Sequence, residues 1–114
     1  MVDKRHLFPN VYVAMDPDGY HVHLEKKCWH GHILKRHREQ MKHRLYDIKS
    51  TIEVPDYIDE RVENGVHNRV YFKHWKDRDR LGQAYLKVPT EVVFDKTSRV
   101  LTAHAVPLIH KRQK

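Results

Sequence analysis

The residues best equipped for chemistry lie in one short segment, Trp29 to Arg38, where histidines and arginines alternate with apolar residues. On a helix, His32 and Arg36 stand one turn apart on the same side, while His37 shares a neighbouring face with Ile33. Histidine titrates near neutral pH and can take up or release a proton, whereas arginine stays charged and can hold a phosphate through two hydrogen bonds. These residue types predict proton transfer beside a phosphate. For His37, a hydrogen-bonded interface histidine is an equally good interpretation.

A second polar pair lies near the C-terminus. If residues 99–106 form one strand, Thr102 and His104 point to the same face. A hydroxyl and an imidazole placed in this way could stabilise the transition state of a phosphate displacement, or could simply hydrogen-bond within a half-polar sheet face. Arginine, threonine and histidine together favour a metal-independent reaction over a carboxylate-based one.

The eleven histidines also raise the question of metal binding. Chance gives roughly one His-x-His pair in such a chain, and two are present, His21/His23 and His30/His32. There is no His-Glu-x-x-His motif and no carboxylate regularly spaced with these pairs, so the sequence predicts neither a metal nor another cofactor. A metal-stabilised interaction protein is the third class of function kept open.

Positive charge is concentrated in blocks. The chain has 22 Lys and Arg against 15 Asp and Glu, a net charge of +7 with histidine neutral. Eight basic residues lie between Lys26 and Lys49, and five lie between Arg69 and Arg80, where aromatic residues alternate with them. Such blocks are typical of surfaces that neutralise phosphates and stack unpaired bases, and equally of a solvated helix face above core aromatics.

The elements that must position these residues can be read from the pattern of residue types. Residues 10–15 and 20–24 predict an opening hairpin around the turn residues Asp16-Pro-Asp-Gly19. Residues 29–52 have helical spacing, which predicts two helices or one bent helix disturbed at Gly31 and ended before Pro55. An acidic connector, a turn at Asn64-Gly65 and three strands follow, at 69–75, 83–94 and 99–106, with Pro89 at a bulge or edge. Helices and strands are thus segregated, which indicates an α+β fold.

Length and cysteine content place limits on the class of protein. The 114 residues suit one domain, 1–114, with a basic tail at 110–114. Cys28 is the single cysteine, so no intramolecular disulfide can form. Because the N-terminus lacks an apolar signal core and the apolar runs are short, we expect a cytoplasmic protein with no membrane partner.

Several short motifs in order resemble a known group of proteins. They are W-H-G-H-I-L-K-R-H, L-Y-D-I-K-S-T-I-E-V-P-D, V-Y-F-K, A-Y-L-K-V and V-L-T-A-H-A. Together they resemble the phage-associated branch of the barnase/EndoU/colicin/RelE-like nuclease superfamily, over a core of about residues 29–106. The resemblance implies a RelE/barnase-like fold, in which an N-terminal hairpin and two helices pack on an antiparallel sheet of about four strands.

The resemblance also implies an activity. Many members are ribonucleases that act as toxins or effectors; they let the RNA 2'-hydroxyl attack the adjacent phosphate, which leaves a 2',3'-cyclic phosphate. By position, His32 or His37 would be the general base or acid, Arg36 would hold the phosphate, and Thr102 would lie at the end-strand site, while His104 stands where relatives often have Tyr. The substrate-binding residues would be Lys35, Arg38, Tyr71, Lys73, Trp75, Lys76, Arg78 and Arg80. RNA is then the expected partner, with an antitoxin or immunity protein as a further one, and a non-catalytic nucleic-acid-binding or inhibitor module on the same scaffold is the alternative.

Overall fold

The computed structural model describes residues 9–74 and 85–107, which form a seven-stranded sheet with helices on one face. The strands are β1 (Asn10–Met15), β2 (His21–Glu25), β3 (Tyr57–Glu63), β4 (Val66–His74), β5 (Tyr85–Phe94), β6 (Thr97–Val100) and β7 (His104–Val106). The helices are α1 (Lys26–Cys28), α2 (Leu34–Met41) and α3 (Leu45–Glu53), and a π-helical turn, Trp29–Ile33, joins α1 to α2. Residues 26–41 and α3 are the two helical segments, so the expected α+β class is confirmed.

The opening hairpin is confirmed, and its turn is tightly bonded. The Oδ1 atom of Asp16 accepts hydrogen bonds from the backbone N–H groups of Asp18 and Tyr20, at 2.9 and 2.8 Å. Such side-chain bonds are the reason why aspartate favours turns. Strand β2 also pairs with β6, so the hairpin belongs to the same sheet as the rest of the chain. The ordered core therefore extends well before residue 29, where the resemblance began.

The helical region follows its apolar spacing. Ile33, Met41, Ile48 and Ile52 are fully buried in the core cluster, and burial of this stripe holds the short helices in place, because helices of eight or nine residues are marginal alone. Gly31 lies within the π-helical turn. Helix α3 ends two residues before Pro55, as expected from the steric effect of proline on its predecessor.

Three expectations about the sheet are wrong. The sheet has seven strands among the described residues rather than about four, and β2 pairs with β6 in parallel while the other pairs are antiparallel. The acidic connector is in fact strand β3, joined to β4 by a tight turn with Asn64 at φ 52° and Gly65 at φ 77°. The charged residues of this segment favoured a connector over a strand in the sequence analysis. As the edge strand of the sheet, β3 can carry charged side chains, which discourage further strand pairing.

The last predicted strand is broken in two, and Pro89 explains where. Residues 101–103 lie between β6 and β7, which both pair with β5. The carbonyl of Pro89 accepts a hydrogen bond from the N–H of Leu101 at 2.9 Å. The nitrogen of Pro89 faces the same side of β5 but has no hydrogen to donate. The partner strand therefore separates from β5 opposite this residue, whereas the pairing of β5 with β4 continues through Pro89 without a shift of register.

The two faces of the sheet have different characters. One face carries buried residues such as Tyr71, Leu86 and Val88, which share the core cluster with Ile48 and Ile52 of α3. The opposite face, called the outer face from here on, carries half-exposed residues at the alternate positions of the same strands. No helix within residues 9–74 and 85–107 is both long and apolar enough to cross a membrane.

Candidate active site

Helix α2 positions His37, and its backbone departs from helical geometry there. His37 has φ −133° and ψ 33°, between the buried residues Ile33 and Met41 that anchor the helix in the core. The π-helical turn directly precedes this helix. Irregular helical backbone is less stable than a regular α-helix and is found often at functional sites. The kink therefore singles out His37 within the segment that carries the most histidines and arginines.

Gln40, one turn after His37, holds α2 beside the edge strand β7. Its Oε1 atom accepts a hydrogen bond from the N–H of Ala105 at 3.1 Å. Because the N–H groups of a strand point sideways within the sheet, this bond places α2 next to β7 rather than above it. Residues three apart on a helix lie on the same side. His37 is thereby brought alongside His104, the neighbour of Ala105.

His37 and His104 stack on each other. Their ring centroids are 5.0 Å apart and the planes are inclined by 21°. Burial lowers the pKa of both imidazoles below the ordinary value of 6.5, and the charges of His32 and Arg36 lower that of His37 further. The charges of His37 and Lys87 have the same effect on the pKa of His104. The two rings thus favour the neutral form near pH 7, and together they favour a single proton over two.

His104 begins a row of residues that crosses the outer face. In the strand register, His104 on β7 lies opposite Lys87 on β5, Lys87 lies opposite Phe72 on β4, and Phe72 lies opposite Tyr57 on β3. Directly opposite residues share a face of the sheet. The ammonium group of Lys87 lies 5.9 Å from the centre of the Phe72 ring. Lys87 was not among the residues predicted to bind substrate, although it lies in the A-Y-L-K-V motif and alternates with buried residues along β5.

Two buried polar atoms in this region have no hydrogen-bond partner among the described residues. They are the hydroxyl oxygen of Thr102 and the Nδ1 atom of His104. Leaving a buried polar atom unpaired costs about 1–3 kcal/mol. Thr102 lies in the segment between β6 and β7 rather than on a strand with His104, so the expected shared strand face is wrong for this pair.

The remaining residues predicted to bind substrate fall into three groups. Lys35 and Arg38 are exposed on α2. Trp75, Lys76, Arg78 and Arg80 lie outside the described residues.

Tyr71 and Lys73 form the third group. They share a face of β4 as expected, but it is the face that the helices cover. The Tyr71 side chain is fully buried, and the ammonium of Lys73 donates to the carbonyl of Val54 at 2.7 Å. The assignment of Tyr71 to substrate binding is corrected on this ground, because a buried ring cannot stack on a base.

Tyr71 belongs instead to a buried ionic cluster that the sequence did not predict. Arg69 is only 3% exposed and contacts three carboxylates, those of Asp16 at 2.8 Å, Asp18 at 2.6 Å and Glu60 at 3.1 Å. The Tyr71 hydroxyl donates to Asp16 at 2.5 Å and accepts from Arg69 at 3.2 Å. Burial and the bond to Asp16 raise the pKa of Tyr71, so the phenol stays neutral. These residues are called the Arg69 cluster below.

The His-x-His pairs do not assemble into a metal-binding arrangement in the described parts of the chain, where no group of three or more His, Cys, Asp and Glu side chains has metal-binding geometry. His21 and His30 are exposed. The Nδ1 atom of His23 lies 2.9 Å from the side-chain nitrogen of Asn10. His32 is half-buried and close enough to His37 to lower its pKa. Of the two pairs, His30/His32 thus has one member at the candidate site.

Comparisons with protein-family models, with curated proteins and with solved structures found no match to this chain. The candidate site therefore has to be judged on its own geometry. It consists of the histidine pair His37 and His104, with Arg36, His32 and Lys87 nearby, at the edge where α2 meets β7.

Proposed function

We propose that this protein is a metal-independent endoribonuclease that uses His37 and His104 as its acid and base. One observation carries the proposal, namely the stacking of these two histidines from distant parts of the chain at a centroid distance of 5.0 Å. Two imidazoles with interacting pKa values provide the two proton-transfer groups that RNA cleavage needs. His37 lies at a kink in α2, and two buried polar atoms at the site, the Nδ1 of His104 and the hydroxyl of Thr102, have no partner among the described residues. Both features are more typical of a functional site than of a structural core.

The reaction needs one proton removed and one added. The neutral imidazole takes the proton of the ribose 2'-hydroxyl while the 2'-oxygen forms a bond to phosphorus. The protonated imidazole gives its proton to the 5'-oxygen as the P–O5' bond breaks. The products are a 2',3'-cyclic phosphate and a 5'-hydroxyl, and the pair ends with its protonation states exchanged. Because the rings stack, the phosphate must approach their edges rather than enter between their planes.

Positive groups at the site support binding of the phosphate. Arg36 and Lys87 are both close enough to one of the two histidines to lower its pKa. An arginine and a lysine on either side of the histidine pair favour an anion there, and they stabilise the charge that develops on a phosphorane-like transition state. Lys35 and Arg38, exposed on the same helix, extend this positive surface and suit backbone positioning rather than chemistry.

The stacking itself favours one second candidate. Rings in contact are less free to reorient than two separated catalytic groups, and a stacked pair can serve only to join α2 to β7. The protein is then a non-catalytic nucleic-acid-binding module or inhibitor with the same positive surface. In that case the lysines and arginines determine binding, and the imidazoles have no role beyond packing.

The test is cleavage of total RNA, with matched single-stranded DNA as control, both in EDTA. We compare the wild type with His37→Ala, His104→Ala and Arg36→Ala. A matched control is His43→Ala, because His43 is exposed between α2 and α3. We expect cleavage of RNA only, cyclic phosphate ends, and a loss of about 10²- to 10⁴-fold in rate for either histidine variant of the pair. His43→Ala should cleave like the wild type.

The pH dependence adds an independent check. Both pKa values of the pair lie below 6.5, so the singly protonated pair becomes scarce as the pH rises above them. We expect a bell-shaped profile of kcat/KM with its maximum on the acid side of 6.5. Intact RNA that is retained at low salt would support the binding module, and activity that depends on added metal would contradict the proposed chemistry.

A further inference from the structure

A groove runs across the outer face beside the histidine pair. It encloses about 300 Å³ and is formed by side chains of β3, β4 and β5. Its lining residues are Asp59, Arg61, Asn68, Val70, Phe72, Lys87 and Pro89. A volume of this size is at the lower end of the range for small-molecule sites. None of the residues predicted from the sequence to bind substrate lies in it.

The strand register connects this groove to the histidine pair. Lys87 both lines the groove and lies opposite His104, whose pKa it lowers. Phe72, its opposite neighbour on β4, lines the groove but is almost fully buried, so it supports the floor from beneath. Val70 and Pro89 are also directly opposite each other and continue this floor. An apolar floor thus begins directly beside the side chains that are proposed to perform the chemistry.

Polar groups lie around this apolar floor. Lys87 provides a cation at the end near His104, and Arg61 provides a second cation on β3 at the far side. Strands are about 4.8 Å apart, so β3 and β5 are separated by roughly 10 Å, and Arg61 lies a further four residues along β3 from Tyr57, the residue level with Lys87. The side-chain nitrogen of Asn68 donates to the carbonyl of Thr90 at 3.1 Å, so its oxygen is the atom that points away from this bond. The carboxylate of Asp59 is a further acceptor at the groove.

We propose that this groove binds the nucleoside next to the phosphate held at the histidine pair, as a subsite for single-stranded RNA. The inference rests on the proposed function, since the histidine pair defines where the scissile phosphate lies. A base and its sugar match the arrangement, because the apolar side chains of Val70 and Pro89 can contact the base while the amide and carboxylate oxygens accept hydrogen bonds from its edge. The two cations suit the phosphates on either side of the nucleoside.

Binding is tested with a single-stranded DNA oligonucleotide, which has no 2'-hydroxyl and so cannot be cleaved by the proposed reaction. We would follow backbone amide signals by NMR and compare two charge-neutralising variants, Arg61→Gln and Lys49→Gln. Lys49 lies on α3, and its ion pair with Glu53 is long at 3.9 Å and surface-exposed, like that of Arg61 with Glu63 at 3.5 Å. Both variants change the net charge equally, which controls for general attraction of the polyanion.

We expect the oligonucleotide to shift signals of residues 59–61, 68–72 and 87–89 in the wild type. Arg61→Gln should raise Kd about tenfold at fixed salt, and Lys49→Gln less than about twofold. Equal effects of the two variants, or shifts confined to α2, would overturn the subsite. In RNA cleavage, Arg61→Gln should raise KM and leave kcat close to that of the wild type.

Failure of this inference and failure of the proposed function give different results. If RNA is cleaved but Arg61→Gln and Lys49→Gln have the same KM, the subsite is wrong and the ribonuclease proposal is retained. If the oligonucleotide binds in the groove but no RNA is cleaved, the groove is a nucleic-acid site and the ribonuclease proposal is wrong.

Discussion

The Arg69 cluster and the histidine pair are both groups of polar side chains packed between distant parts of the chain, yet they differ in how well they are satisfied. In the Arg69 cluster, one guanidinium contacts three carboxylates and a phenol, at distances of 2.6 to 3.2 Å. At the histidine pair, the two stacked rings would both be positive if protonated, and the Nδ1 atom of His104 has no partner among the described residues. A satisfied cluster fixes a structure, whereas an unsatisfied one at a surface edge is available to a ligand.

The comparison predicts that the Arg69 cluster is where stability is most sensitive. Arg69→Met removes the cation and leaves the Asp16 carboxylate buried, with its side chain 0% exposed. Breaking a buried ion pair from one side costs about 3–5 kcal/mol. We expect a loss of that size in the free energy of unfolding, measured in urea. Arg61→Met, on the neighbouring strand but half-exposed, should cost less than about 1 kcal/mol. Similar losses for both variants would contradict the special role of the cluster.

The same contrast explains how much of the molecule the sequence predicts. Local patterns predict local structure well: the Asp16 turn, the end of α3 before Pro55 and the interrupted pairing opposite Pro89 each follow from the conformational limits of a few residues. The Arg69 cluster was missed because Asp16 and Arg69 are 53 residues apart, and no local pattern marks that contact. The charge of Arg69 was read as a solvent-facing charge when it is nearly fully buried.

For the candidate site, the sequence predicts the components better than their arrangement. His37 and His104 were selected for their chemistry, and the structure brings them together. Their meeting depends on the hydrogen bond from Ala105 to Gln40 and on the interruption after β6, neither of which follows from residue types. Tyr71 was placed in the wrong role because alternation along β4 shows which residues share a face, but not which face the helices cover.

At the histidine pair, the comparison predicts the opposite effect on stability. His104→Phe keeps an aromatic ring against His37 and removes the buried Nδ1 atom, for which residues 9–74 and 85–107 provide no partner. Removing that cost should stabilise the fold by about 1 kcal/mol, while RNA cleavage is lost. Urea unfolding and the cleavage assay together provide the measurement. If His104→Phe instead destabilises the fold as Arg69→Met does, the pair is a structural element and the contrast between the two regions disappears.

A smaller effect is expected at the contact that holds the pair together. Gln40→Leu removes the acceptor for the N–H of Ala105, at a cost of about 1 kcal/mol in stability. The amide hydrogen of Ala105 should then exchange faster with solvent. Because His37 would lose its alignment with His104, kcat should fall more than KM rises. Gln40→Glu retains an oxygen acceptor and should restore slow exchange and most of kcat, which simple loss of packing would not allow.

The smallest expected effect is a difference in the pH range over which each region loses its contribution to stability. His37 and His104 have pKa values below 6.5 in the folded protein, chiefly through burial. The unfolded chain therefore binds more protons than the folded protein as the pH falls from about 7, and stability decreases in that window.

For Glu60, burial alone would raise the pKa, but hydrogen bonds from His67 and Arg69 outweigh it and lower the pKa below 4.5. The stability that Glu60 contributes is therefore present above about pH 4.5 and lost below it. His23, whose pKa is also lowered by burial, contributes to the first window. Urea unfolding from pH 7.5 to 3.5 should give two declines, with the first reduced in His104→Phe and the second reduced in Glu60→Gln. A single decline, unchanged in both variants, would mean that neither region produces the pH dependence of stability.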